Sequence, residues 1–126
     1  MTTLYDAIGD EAFDRLVAGF YARVRTDDIL SPMYPPDDWE GAQWRLKAFL
    51  TQYWGGPSTY SEQRGHPRLR MRHMHFPISR EAAFRWLELM EASLEDIDED
   101  TIPPAFRAQL RDHWERVAGM LINRAD

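Results

Sequence analysis

Between His66 and Pro77 the chain reads His66-Pro67-Arg68-Leu69-Arg70-Met71-Arg72-His73-Met74-His75-Phe76-Pro77. Leu69, His73 and Phe76 stand at i, i+4 and i+7, one stripe of a short helix, so the His73 imidazole points inward with two apolar side chains. An imidazole in an apolar slot needs a partner, either a hydrogen-bond acceptor or a metal ion. Arg72 precedes His73 and Arg68 lies one turn before Arg72, which puts cations on the rim of whatever cavity His73 faces. This set suits a flat, largely apolar, anionic ligand with a metal at its centre.

Two further polar groups fall on buried stripes. From Asp10 to about Arg25, Phe13, Leu16, Val17, Phe20, Tyr21 and Val24 follow the helical period and place Tyr21 on the inner face. Ser79 is a helix N-cap, and the helix after it turns Ala82, Trp86, Leu89, Met90, Ser93 and Ile97 inward. Singly, an inward Tyr, Trp or His is most simply a core residue with its hydrogen bond satisfied. Their coincidence with an arginine rim points instead to a shared polar target.

The remaining elements hold these groups in place. Ser31-Pro32 and Pro35-Pro36-Asp37-Asp38 bracket an irregular corner, with Asp37 or Asp38 available to cap the next helix. That helix runs from Trp39 to Trp54, with Trp39, Ala42, Leu46, Phe49, Leu50 and Tyr53 on one stripe, and stops at Gly55-Gly56-Pro57. Ser58 to Gly65 reads as a loop, Pro67 opens the short helix and Pro77 ends it. The acidic run Glu95-Asp96-Ile97-Asp98-Glu99-Asp100 opposes the helix dipole and is expected to fray. Pro103-Pro104 open a last helix striped by Phe106, Leu110, His113, Trp114, Val117 and Leu121, with His113 expected to be a satisfied core histidine. The expectation is an all-α chain of four main helices and one short one, without repeats or strands, forming one domain over residues 1–126.

Composition narrows the function. The 126 residues carry a net charge of -6, which argues against general nucleic-acid binding. The bases are uneven: of 15, Lys47 is the only lysine, and Arg64, Arg68, Arg70 and Arg72 cluster in one segment. On an acidic protein that cluster is, most simply, a solvated face. Cysteine is absent, so any metal is held by nitrogen or oxygen, and covalent haem attachment through C-x-x-C-H is excluded. The opening residues lack the pattern of a signal peptide and no apolar run nears the roughly 20 residues of a membrane span, so a cytoplasmic location is expected.

Phe20-Tyr21, Tyr34-Pro35, Tyr53-Trp54-Gly55-Gly56-Pro57, the run Tyr60-Ser61-Glu62-Gln63-Arg64-Gly65-His66-Pro67-Arg68-Leu69-Arg70-Met71-Arg72-His73 and Trp86 together resemble group II, the O type, of the bacterial truncated haemoglobins. The resemblance covers nearly the whole chain. It implies a truncated globin fold, a two-over-two helical sandwich around haem b (iron protoporphyrin IX), with His73 as the proximal iron ligand. It also implies a distal Tyr21, a second phenol from Tyr34 and the indole N–H of Trp86, with Leu46 and Phe49 packed above the haem plane. Ala42 stands where a distal histidine would be expected and can donate no hydrogen bond. Arg45 and Arg72 are placed to reach the haem propionates, assisted by Tyr60 or His66.

The implied ligands are dioxygen and other diatomic molecules, with an unidentified reductase as partner and either a monomer or a homodimer as the working unit. Two hydrogen bonds to the ligand would slow its escape, which disfavours oxygen transport. Nitric oxide oxidation, peroxide chemistry and sensing stay open. Two alternatives from other classes also stand: a haem-free all-α interaction module, and a histidine zinc site. His66, His73 and His75 lie close in sequence, but His73 and His75 do not share a helix face and no H-E-x-x-H pattern is present. His75 is read as a surface residue.

Overall fold

The computed structural model describes residues 2–124 as a helical chain, with Met1 and residues 125 and 126 of the expected domain lying outside the described part. Its helices are α1 (Leu4–Ile8), α2 (Asp10–Val24), α3 (Trp39–Tyr53), α4 (Thr59–Arg64), α5 (Leu69–His73), α6 (Arg80–Glu95) and α7 (Pro104–Leu121), with one 3-10 turn at Ser31–Met33. α2 packs on α3 and on α6, and α6 packs on α7, so two helix pairs lie across one another. This is the two-over-two helical arrangement expected from the sequence.

The four long helices fall where their apolar stripes place them, except that Tyr53, expected on the inner stripe of α3, is 48% exposed at the end of that helix, its ring lying against His113. On α2 the side chains of Phe13, Leu16, Val17, Phe20 and Val24 are fully buried and Tyr21 nearly so. Each such burial contributes roughly 1.5–3 kcal/mol before chain entropy is counted. α2 and α6 approach closely because residue 19 is glycine: a Cβ there would strike the Ser93 hydroxyl and lie 3.3 Å from its Cβ. That hydroxyl donates to Leu16 O at 2.6 Å, joining the two helices at their crossing.

Two helices were not legible from periodicity. α1 has five residues, too few to show a period, and is set by a capping box. Thr3 Oγ1 accepts from Asp6 N at 3.0 Å while the Asp6 carboxylate accepts from Thr3 N at 3.4 Å. α4 replaces the loop expected over 58–65. Its polar sequence buries only Tyr60, and Gln52 of α3 holds it by accepting from Ser61 N at 2.9 Å and donating to Ser61 Oγ at 2.8 Å. Asp38 is the N-cap residue of α3 but makes no side-chain cap, because its carboxylate pairs with Arg45 at 3.1 Å.

α6 stops at Glu95, as the acidic run requires, and has no basic residue in its last turn. The missing cation comes from α7. Buried Arg107 donates from Nε to Ile102 O at 2.7 Å, from Nη1 to Leu94 O at 2.8 Å and from Nη2 to Ile97 O, satisfying carbonyls that would otherwise be orphaned beneath the core.

A histidine-lined cavity with an arginine rim

The helices enclose a cavity of about 400 Å³. α2 contributes Tyr21, the following corner Met33 and Tyr34, and α3 Ala42, Arg45, Leu46 and Phe49. Tyr60 and Arg64 come from α4, Arg72 and His73 from α5, Ala82, Ala83 and Trp86 from α6, and Val117 and Leu121 from α7. The cavity thus gathers every residue assigned to the site from the sequence except His66, which lines a separate groove on the far side of Leu69; Arg68, expected on the cavity rim, lines that outer groove too, because its turn into α5 carries it away from His73. His75 is exposed, as expected.

His73 is held from several sides. Its Nδ1 lies 2.7 Å from Leu69 O, one turn back on α5. A carbonyl can only accept, so Nδ1 carries a proton, and in the neutral ring it is Nε2 that keeps the lone pair with which imidazole binds a metal ion. Asn123 clamps the segment from the other end of the chain: its Nδ2 donates to His73 O at 3.1 Å and to Phe76 O at 3.0 Å, and its Oδ1 accepts from Ile78 N at 2.9 Å. The chain enters α5 through Arg68 with φ of 44°, in the left-handed region that costs a non-glycine residue about 1 kcal/mol. Neither the clamp nor this turn had a local signal in the sequence.

The opposite wall carries the phenols and the indole. The Tyr21 and Tyr34 rings meet edge to face with centroids 5.6 Å apart, and Tyr34 also stacks on Trp39 at 5.4 Å. Each hydroxyl acts on the titration of the other. Burial raises the Tyr21 phenol far above the ordinary tyrosine range, with Tyr34 adding to it. Burial raises Tyr34 as well, against the lowering effects of Tyr21 and the nearby Arg45. Both phenols are therefore neutral donors at any physiological pH. Trp86 is partly buried, packs edge-on against Phe20 at 5.6 Å and, among the described residues, has no acceptor for its N–H.

Next to Trp86, Arg85 Nη1 lies 2.5 Å from Asp27 Oδ1. The buried Asp27 carboxylate also accepts from Leu30 N at 2.9 Å and Ile29 N at 3.1 Å, which fixes the corner after α2 to α6. Burial works to raise the Asp27 carboxyl, but these hydrogen bonds outweigh it and hold it below the ordinary range.

Charge completes the cavity. Among the described residues Arg45, Arg64 and Arg72 line it and no carboxylate does, which favours an anionic occupant. Arg72 already donates from Nε to Pro67 O at 2.9 Å and from Nη2 to Arg64 O at 2.6 Å, so it also fixes the α4–α5 connection. Arg64, with no function assigned from sequence, is the third cation. The flat, apolar, metal-centred anion anticipated for this site therefore fits the residues present. A zinc site does not: among the described residues no group of three His, Cys, Asp or Glu side chains could hold a metal ion.

His113 is buried as expected but not satisfied. Its ring stacks on Tyr53 with centroids 3.6 Å apart, and its Nδ1 has no hydrogen-bond partner among the described residues. Burial, with a smaller effect from Arg116, lowers its pKa from 6.5 to about 4. Between those values the unfolded chain binds a proton that the folded chain does not. Stability is therefore expected to fall as pH drops from about 6.5 towards 4, by on the order of 2 kcal/mol. Chemical denaturation of wild type and His113→Phe across this range reads the effect as a difference in slope; parallel profiles would show that His113 does not titrate on unfolding.

A profile of the bacterial-like globin family matches residues 3–118. The group 2 truncated hemoglobin YjbI of Bacillus subtilis is 46% identical over 93 residues, covering 74% of this chain and 70% of that protein. Two-on-two hemoglobin-3 of Arabidopsis thaliana is 37% identical over 105 residues, and the match spans 79% of this chain but only 60% of the plant protein. Among solved structures, the hemoglobin of the thermophilic phototroph Chloroflexus aurantiacus superposes with a TM-score of 0.90 at 42% identity, covering 98% of this chain and 100% of that one. The truncated oxygen-avid haemoglobin of Bacillus subtilis gives 0.88 at 39%, covering 96% and 99%.

The chain belongs to the bacterial-like globins. Within them it is a group II truncated haemoglobin, a class whose cofactor is haem b. No helix among the described residues is long and apolar enough to cross a membrane.

Proposed function

We propose that this chain is a single-domain haem protein that retains a diatomic ligand, dioxygen above all, long enough for it to react or signal in place. The observation that carries the reading is the His73 imidazole, with Nδ1 engaged by Leu69 O and Nε2 left as a donor in an arginine-rimmed apolar cavity. His73 holds the iron, Leu46 and Phe49 pack against the macrocycle, and Arg45, Arg64, Arg72 and Tyr60 are the candidates for its propionates. Bound haem supplies an iron that coordinates dioxygen and other diatomic molecules.

The chain's own part is to orient and hold. The phenol pair of Tyr21 and Tyr34 and the Trp86 N–H are the donors available to a ligand in the cavity. Each bond to a ligand bearing negative charge contributes roughly 1.5–3 kcal/mol. Ala42 adds no donor and little bulk, so it does little to obstruct a ligand, while departure is slowed by the polar wall. A slow off-rate suits nitric oxide oxidation, peroxide chemistry or sensing better than oxygen delivery. The oxygen-avid character of the Bacillus subtilis relative supports this reading.

The test is an absorption spectrum of the purified chain after incubation with haemin. One haem per chain with an intense violet band is expected; a colourless protein that remains folded, or one that takes up stoichiometric zinc instead, would overturn the proposal.

A further inference from the structure

The segment Arg64 to Pro77 contains four arginines and no acidic residue, a charge of +4 on a chain of net -6, leaving -10 on the rest. Among the described residues no carboxylate pairs with Arg64, Arg68 or Arg70, whereas Arg23, Arg45, Arg85, Arg111 and Lys47 are all paired. Among these cations Met71 and Met74 are 53% and 63% exposed. An apolar centre rimmed by unpaired arginines has the anatomy of a protein interface, and on a chain otherwise acidic it selects an acidic partner.

The same segment forms one wall of the cavity. Arg64, Arg72 and Phe76 line the cavity, Arg68, Arg70 and Met71 line a shallow groove on the other side, and Leu69 borders both. A protein docked on this face is separated from the cavity's occupant by a single layer of side chains. We propose that the face docks a small acidic electron-carrier protein of the ferredoxin type, which reduces the iron bound at His73. One electron leaves the carrier's reduced iron–sulfur centre and converts ferric to ferrous iron; no proton moves, and no bond to the protein forms or breaks. Recognition is electrostatic, so encounter is steered by charge and weakened by salt.

The proposal rests on the haem reading, and its test separates the two. Haem-loaded wild type and an Arg68→Glu/Arg70→Glu variant are titrated with a [2Fe–2S] ferredoxin, and reduction is followed in the haem spectrum with ferredoxin or with dithionite as donor. Charge reversal is expected to weaken ferredoxin binding and slow ferredoxin-driven reduction by about tenfold or more, as added salt does to wild type, with dithionite reduction unchanged. Arg68→Gln/Arg70→Gln, which removes charge without reversing it, is expected to fall between. Binding that ignores these substitutions, or duplex DNA binding wild type as tightly as ferredoxin does at the same salt, overturns the docking proposal alone. Failure of the wild-type chain to take up haem overturns both readings.

Discussion

His73→Ala is expected to lower haem affinity by more than about 100-fold, exceeding the 10–100-fold that loss of an outer-shell partner costs a metal site. The argument rests on the imidazole's tautomer. Leu69 O fixes the proton on Nδ1, and Asn123 holds the backbone of the same residue, so Nε2 is presented as a donor without reorganisation. Among the described residues of the cavity wall, Arg45, Arg64 and Arg72 are cations, the phenols of Tyr21 and Tyr34 are held neutral by burial, and Met33 offers only a weaker thioether. Haem transfer to an apo-globin acceptor, timed for wild type and variant, measures the loss. Free imidazole added to His73→Ala should restore part of the lost affinity by occupying the vacated space. His66→Ala and His75→Ala serve as controls, because one lines the outer groove and the other faces solvent. Unchanged haem retention in His73→Ala would move the iron ligand elsewhere.

What the sequence disclosed about this site follows from how each residue is held. Residues on long amphipathic helices were placed by period alone: Tyr21, Ala42, Leu46, Phe49 and Trp86 all line the cavity. His73 was legible on a helix of five residues because its neighbours in the stripe, Leu69 and Phe76, also face the cavity. Short polar helices were not legible that way. α4 has a single buried residue and owes its position to the side chain of Gln52, a contact across nine residues that no local pattern announces. α1 could have been found, since Thr3-x-x-Asp6 is a capping-box sequence, but five residues carry no periodic signal to accompany it.

Contacts between distant segments were beyond reach for the same reason. Asn123 lies fifty residues from the backbone it clamps at His73, and Arg107 reaches back across the α6–α7 turn to carbonyls on another helix. Arg68 in the left-handed region is a tertiary choice, since nothing in its type favours that conformation. The arginine cluster was visible from the start as composition. Its division was not: Arg64 and Arg72 turn to the cavity, while Arg68 and Arg70 turn to the outer groove.

Trp86→Phe is expected to speed dioxygen dissociation by about 10–100-fold, the equivalent of losing one charge-assisted hydrogen bond of roughly 1.5–3 kcal/mol. Phenylalanine keeps the ring that packs edge-on against Phe20, and the adjacent Arg85–Asp27 pair still fixes that turn of α6, so the change removes the N–H and little else. That N–H has no acceptor among the described residues, which leaves it available to a ligand in the cavity. Tyr21→Phe should act more weakly. The Tyr21 ring packs edge-on against Tyr34, so in Tyr21→Phe the second phenol of the pair remains to donate to the ligand. Stopped-flow displacement of dioxygen by carbon monoxide gives both rates. An unchanged rate in Trp86→Phe would remove the indole from ligand retention, and a larger acceleration in Tyr21→Phe than in Trp86→Phe would assign retention mainly to the phenol pair.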